Sequence, residues 1–341
     1  MQRVLIAAIV ALVVSVVVGP KFIAFLRNRE LGQFIREEGP ARHVAKAGTP
    51  TAGGVLILVA ATVAFLGLSR YSTAGLTVLF ATVACGTIGF LDDYIKLTHR
   101  RSLGLPGRWK LLLLVAVSAV VGYLAHHTGL STDVYLPVLG LTVPLSWAWY
   151  PFVFLIIAGA ANGVNLADGI DGLAAGTGLI AVFTFTVISV FTFVRSGQPA
   201  FGAQSIPHLD LAILGGAIIG ATIGFLWYNA FPAEVIMGDT GAFAIGGALG
   251  AFAIMLKAEV LLLLIGGIFV LEALSVMLQV FTFKYMGRRV FLMAPIHHHF
   301  EMKAWSETKI MVRFWIVTGI LCAAGFALYY RYFPDFFRVR R

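Results

Sequence analysis

Residues 75–93 read GLTVLFATVACGTIGFLDD, seventeen residues without a charge closed by two adjacent carboxylates, Asp92 and Asp93. A membrane-spanning helix needs about 20 predominantly apolar residues. Ionised carboxylates at the end of such a run are costly unless they are solvated, paired or metal-bound. The stretch therefore predicts a transmembrane helix with chemistry at one of its ends, the bland alternative being an interfacial acidic pair.

The same signal recurs on both sides. Apolar runs at about 4–26, 51–69, 74–95, 109–128, 147–164, 172–194, 209–228, 240–256, 259–281 and 309–330 predict an all-α polytopic membrane protein of about ten spans, with residues 1–341 as one integral membrane domain. Composition agrees: 59% of the residues are hydrophobic and 12% charged, mean hydropathy is +0.91, and an ordinary soluble domain carries roughly 25% charged residues. Arg3 alone precedes the first run, and no small-residue cleavage pattern closes it before Lys21, so it reads as a retained span rather than a signal peptide. Thr132–Leu145, rich in Val, Leu, Thr and Pro around Gly140, predicts a short β-hairpin outside the bilayer. Cys85 and Cys322 lie in separate apolar runs and read as core packing, with neither a disulfide framework nor a thiolate metal site.

The net charge of +9 fits orientation signals and contact with anionic lipid head groups better than nucleic acid, which is not expected as a partner. In a strictly alternating ten-span arrangement, seventeen of the 25 Lys and Arg fall on one side, in the loops 27–46, 96–110 and 284–309 together with Lys21 and Arg313. Positive charge marks the cytoplasm. Both termini and the hairpin are therefore expected on the periplasmic side, with the basic tail, Arg331, Arg338, Arg340 and Arg341, pulling against that placement.

Polar residues that a membrane bundle does not need fall in five places: Lys46–Gly54, Asp92-Asp93 with Lys96, Asn162–Asp171, Asn229–Asp239 and His297–Glu301. The alternating arrangement puts all five on the cytoplasmic side, as if to build one site. Asn162, Asn165, Asp168 and Asp171 recur every three residues, near one face of a helix or helix end. Gly163, Gly169, Gly172 and Gly176 between and after them permit close approach of backbone to phosphate, although Asp-Gly pairs also mark plain turns. Asp239, in Gly238-Asp239-Thr240-Gly241 just before an apolar run, suits either a helix cap or an oxygen ligand of a Mg²⁺–phosphate complex. His297, His298 and His299 are adjacent, and adjacent positions do not share a helix face, so hydrogen bonds to phosphate or sugar fit them better than a transition metal. The remaining ligand set is hard and oxygen-rich, pointing to Mg²⁺.

Five stretches carry a resemblance that covers essentially the whole chain: Lys46-Ala47-Gly48-Thr49-Pro50-Thr51, Gly89-Phe90-Leu91-Asp92-Asp93-Tyr94, Asn165 to Leu173, Met237-Gly238-Asp239, and Ala294-Pro295-Ile296-His297-His298-His299-Phe300-Glu301. Together they resemble the phospho-N-acetylmuramoyl-pentapeptide-transferase family, within the wider polyprenyl-phosphate N-acetylhexosamine-1-phosphate transferases. The resemblance implies a ten-span enzyme of the bacterial inner membrane, often a homodimer. Its substrates would be UDP-N-acetylmuramoyl-pentapeptide and undecaprenyl phosphate, and its products the first lipid-linked peptidoglycan precursor and UMP. It implies Asp239 as the principal Mg²⁺ ligand and Asp92 and Asp93 as the groups serving the lipid phosphate. Asn165, Asp168, Asp171 and Asn229 would line the nucleotide pocket. Lys46, His298 and His299 would contact diphosphate or sugar, Thr51 and His297 fall in the same matching stretches, and Lys96 and Asn162, in the polar clusters beside them, are further candidates for substrate binding. Two departures stand out: Ala52 replaces a usual Met, and Leu103 replaces a frequent Lys, leaving Arg100, Arg101 and Arg108 as substitutes for a phosphate contact.

A secondary transporter is the main rival, since ionisable groups near spans mark ion pathways. Transporters place such groups near the bilayer midplane, whereas these sit at expected span ends, and no internal repeat is visible.

Overall fold

A computed structural model describes residues 1–29, 48–99, 103–196 and 205–339. Lys46, Arg100 and Arg101 lie outside them. The described residues form twelve α-helices and one hairpin. In chain order these are α1 Gln2–Asn28, α2 Gly54–Leu68, α3 Thr73–Thr98, α4 Gly107–His127, β1 Asp133–Leu136, β2 Leu141–Pro144, α5 Trp149–Ala167 and α6 Leu173–Ser196. They continue with α7 Ser205–Asn229, α8 Gly238–Met255, α9 Leu262–Ile265, α10 Gly267–Met286, α11 Ile296–Met302 and α12 Glu307–Val339. Among the described residues nine helices are long and apolar enough to cross a membrane. Helices suit this role because each satisfies its own backbone hydrogen bonds where no water can.

The expected second span, 51–69, is the exception. Its helix α2 has only 15 residues, about 22 Å at 1.5 Å per residue, because residues 50–53 leave the helix to pair with the chain before α8. Ile236 N–H donates to the Pro50 carbonyl at 2.8 Å, and Gly53 and Gly54 N–H to the Ile236 and Met237 carbonyls at 2.9 Å each. The expected 259–281 span is likewise displaced to 267–286. A buried pair, Lys257 and Glu259 at 2.7 Å, anchors a turn and the one-turn helix α9 ahead of it. Lys257 Nζ also donates to the Ser131 carbonyl at 3.0 Å, tying this end to the hairpin. The hairpin itself falls where the sequence predicts it, its antiparallel register running from Asp133 opposite Pro144 to Leu136 opposite Leu141.

Helix α8 is the axis of the bundle, with all of its residues buried, and α3, α5, α6 and α2 pack around it. Its composition, GDTGAFAIGGALGAFAIM, explains this, because small residues let helix backbones come close where apolar lipid provides no hydrophobic drive. At the end that carries Asp239 the contact is tightest. A Cβ on Gly54 would collide with the Gly241 backbone, and one on Gly89 with the Asp239 carbonyl. By contrast α1, with Leu5, Ile9, Val13 and Val17 exposed, presents an apolar outer face of the kind lipid covers.

Candidate active site

The last turns of α3 and the first turn of α8 meet at one end of the bundle and bring three carboxylates together. Oxygens of Asp92, Asp93 and Asp239 lie within 4.8 Å of one another, all three residues buried. Two lysines hold this cluster. Lys96, one turn beyond Asp92, lies 2.6 Å from Asp92 Oδ2 and 3.0 Å from Asp239 Oδ1. Lys110, in the first turn of α4, lies 3.0 Å from Asp92 Oδ1 and 2.8 Å from Asp239 Oδ2, its ammonium 5.1 Å above the Phe243 ring. Each lysine thus bridges the same two aspartates. Two ammonium groups face two of the three carboxylates in a low-dielectric end of the bundle, where compensation is favoured over isolation.

Asp92 and Asp93, adjacent in sequence, do different things. Asp92 Oδ1 also accepts the Leu105 N–H at 2.7 Å, and Gly104 lies against its carboxylate. Asp93 faces the start of α8, accepting from Asp239 N–H at 3.1 Å, Thr240 N–H at 2.9 Å and the Thr240 hydroxyl at 2.6 Å. It supplies the cap that Asp239, already inside the first turn, does not. Thr51 Oγ1 sits beside Gly238, whose φ of +71° is the left-handed conformation that glycine adopts without strain.

The turn between α5 and α6 closes the site from the other side. Asp168 accepts the Gly238 N–H, and its carboxyl is pushed up to about 8, first by burial and then by the charges of Asp239 and Asp93. Asp171 Oδ2 accepts the Ala233 N–H at 3.0 Å. Buried Asn229 accepts the Gly172 N–H at 3.0 Å and donates to the Val235 carbonyl at 2.9 Å, so its amide stitches this turn to the 230–237 loop. Asn165 is half-buried at the end of α5, whereas Asn162, a turn earlier, is exposed and turned back onto the Ala158 carbonyl at 2.8 Å.

The histidines divide in the same way. His297 is fully buried, its Nδ1 3.1 Å from Glu272 Oε1 of α10, and its ring lies under Gly169. His298 Nδ1 is 2.5 Å from Glu301 Oε2, and the rings of His297 and His298 are 4.1 Å apart. His299 accepts the Leu292 N–H at 3.1 Å. Contacts therefore link all five sequence clusters, through Thr51, Asp92-Asp93, Asp168-Gly169, Asp239 and His297. Lys110 and Glu272 are additions that the sequence reading missed. Arg108, a suggested substitute for the residue at 103, is exposed and lies over the Trp109 ring instead.

A family model described as glycosyl transferase family 4 matches residues 75–257. The chain is 47% identical over 337 residues to the phospho-N-acetylmuramoyl-pentapeptide-transferase of Rubrobacter xylanophilus, covering 97% of this chain and 98% of that protein. The chain belongs to this transferase family. Proteins of the same name from Halalkalibacterium halodurans, 44% identical over 95% of this chain and 96% of theirs, and from Pelobacter propionicus, 46% identical over 94% and 90%, extend the match. The Asp–Lys cluster lies within the residues the family model matches. Its donor set of buried carboxylate oxygens fits a hard divalent cation such as Mg²⁺.

Proposed function

We propose that this transferase moves phospho-N-acetylmuramoyl-pentapeptide from UDP-N-acetylmuramoyl-pentapeptide to undecaprenyl phosphate, releasing UMP and forming the first lipid-linked intermediate of peptidoglycan. The reaction takes place in the bacterial cytoplasmic membrane, with the site facing the cytoplasm. The observation that carries this reading is the convergence of Asp92, Asp239, Lys96 and Lys110 at one end of an apolar bundle, in a chain of this family.

Phosphoryl transfer of this kind gathers several negative charges, and catalysis is largely positioning and charge compensation. Mg²⁺, held by Asp239 with Asp92 beside it, supplies Lewis-acid polarisation of the phosphate oxygens when bound. Lys96 and Lys110 supply mobile positive charge, exchanging carboxylate partners for phosphate oxygens as the donor arrives. Asp93 keeps the start of α8 in place. Asp168, Asp171, Asn165 and Asn229 shape the nucleotide side, Asn229 and Asp171 through backbone they already hold. Lys46, Thr51, His298 and His299 belong to the diphosphate and sugar side. Asp92 is the carboxylate closest in role to the lipid acceptor, whose phosphate sits at the membrane interface while its isoprenoid chain stays in hydrocarbon.

The homodimer implied by the family is part of this reading, and all the residues named above come from one chain. The direct test is release of UMP by purified protein in detergent with Mg²⁺, undecaprenyl phosphate and UDP-N-acetylmuramoyl-pentapeptide. Turnover that needs all three supports the assignment, and none under these conditions rejects it.

A further inference from the structure

Glu272 is the single acidic residue of α10, a helix long and apolar enough to span a membrane, and it is completely buried. Carboxylates in such places are expensive and mark function by default. Its partner is equally buried: His297 Nδ1 lies 3.1 Å from Glu272 Oε1. A buried polar pair of this kind is weak support for a fold, because apolar residues of similar volume in place of both partners are often as stable or more so. Packing alone therefore does not explain why α10 carries an acid here.

Following the imidazole outward gives a reason. A hydrogen bond at Nδ1 fixes both the orientation of the ring and the nitrogen that holds the proton. Among the described residues the opposite nitrogen, Nε2, has no hydrogen-bond partner, and it is directed at Gly169. A Cβ on Gly169 would meet Nε2 first and the two flanking ring carbons next. The imidazole is thus the floor on which Gly169 rests. On either side of that glycine are Asp168, bonded to the Gly238 N–H, and Asp171, bonded to the Ala233 N–H.

We propose that Glu272 is a positioning residue for the donor: by holding the His297 ring it sets the height and register of the Asp168–Gly172 turn, and through it the nucleotide side of the site. The proposal rests on the assignment of that turn to the nucleotide-sugar donor. It touches neither the lipid acceptor nor the Asp–Lys cluster directly.

The test compares Glu272→Leu, Glu272→Gln and Gly169→Ala with wild type in the UMP-release assay, with separate KM values for UDP-N-acetylmuramoyl-pentapeptide and undecaprenyl phosphate and a thermal melt for each protein. For Glu272→Leu the donor KM should rise about tenfold or more, as for other supporting partners of site residues, while the acceptor KM stays within about twofold. Its melting temperature should fall, because the buried His297 Nδ1 loses its partner, and the donor-against-acceptor KM split of the folded protein is what separates positioning from simple destabilisation. Glu272→Gln, whose amide oxygen still accepts the Nδ1 proton, should return the donor KM to within about threefold of wild type. Gly169→Ala, pressing on the ring from the other side, should raise the donor KM alone, and it keeps the test decisive should the Leu variant not fold. The inference is overturned if the donor and acceptor KM move together, if Gln does no better than Leu, or if Gly169→Ala leaves the donor KM unchanged. Wild-type protein that neither binds nor releases UMP overturns the functional assignment as well, which separates the two failures.

Discussion

The Asp93 carboxylate accepts the backbone N–H of Asp239 at 3.1 Å, so one of the three clustered acids is the helix cap of another. Its second oxygen takes both the N–H and the hydroxyl of Thr240. The arrangement fixes the end of α8 that carries the Asp239 carboxylate. It also gives each carboxylate of the cluster, whose oxygens lie within 4.8 Å of one another, its own partners: Asp93 the start of a helix, Asp92 and Asp239 two lysines.

Removing this cap should cost stability as well as rate. Asp93→Ala is expected to lose about 1 kcal/mol of stability, the usual worth of an N-cap, and to lower turnover steeply because Asp239 is no longer held. Denaturation in detergent alongside the UMP assay checks both, and a variant as stable and active as wild type would show the cap to be dispensable.

Asp239→Asn should abolish turnover and raise the Mg²⁺ requirement sharply, since the replaced oxygen is the best-placed hard ligand of the cluster. A Mg²⁺ titration of activity decides it. Unchanged metal dependence would move the ligand role to Asp92.

Lys110→Gln should lower kcat by on the order of a hundredfold, as loss of one preorganised charge at a reacting phosphate does, whereas Arg108→Gln, two positions earlier on an exposed side chain, should stay within a few-fold of wild type. Equal losses in the two variants would mean that bulk positive charge at this end of α4, rather than the bridge to Asp92 and Asp239, is what matters.

The contrast between these two residues shows where sequence reading runs out. A lysine in the first turn of an apolar run looks like any interfacial anchor, and only the folding of α4 against α8 reveals that Lys110 reaches two aspartates. Asp92-Asp93 was legible because an acid at the end of an uncharged run has few bland explanations. The division of labour between the pair was not, since cap and counter-ion are the same residue type in different geometry. Glu272 could have been found by the same reasoning, as the one carboxylate in the interior of the 259–281 run, whose first residue is Glu259, but attention to span ends passes over it. Composition could not reveal that residues 50–53 leave their apolar run to pair with residues 236–237, because apolar residues serve a helix and an extended contact equally well.

Single cysteines in a background without Cys85 and Cys322 test the orientation. Met302→Cys, at a position 54% exposed beside the histidine helix, should react with membrane-impermeant reagents only from the cytoplasmic side, and Trp147→Cys, 80% exposed beside the hairpin, only from the opposite side. Labelling of both from the same side would break the assignment of the reaction centre to the cytoplasm.

The last prediction concerns whether Asp92 or Asp93 attacks the donor. Asp92 is ringed by Lys96, Lys110 and the Leu105 N–H, and Asp93 has three donors from the start of α8. Carboxylate oxygens engaged in this way have their lone pairs taken up by donors and are poorly placed to attack. The acceptor needs no help from a covalent intermediate, because its phosphate is already an oxyanion and, with a second pKa of roughly 6, is mostly dianionic above neutral pH. A direct displacement follows, in which the acceptor oxygen attacks the β-phosphorus and UMP leaves. Asp92→Asn should then lose most activity near pH 6, where the acceptor still carries a proton that the carboxylate would take up or orient, and recover in part at about pH 8. A lost nucleophile would instead give a deep defect at every pH. The complementary measurement is exchange of labelled UMP into the UDP-sugar without any lipid acceptor. Direct transfer predicts none, while clear exchange, or a sugar-phosphate adduct trapped on Asp92 or Asp93, would establish a two-step path.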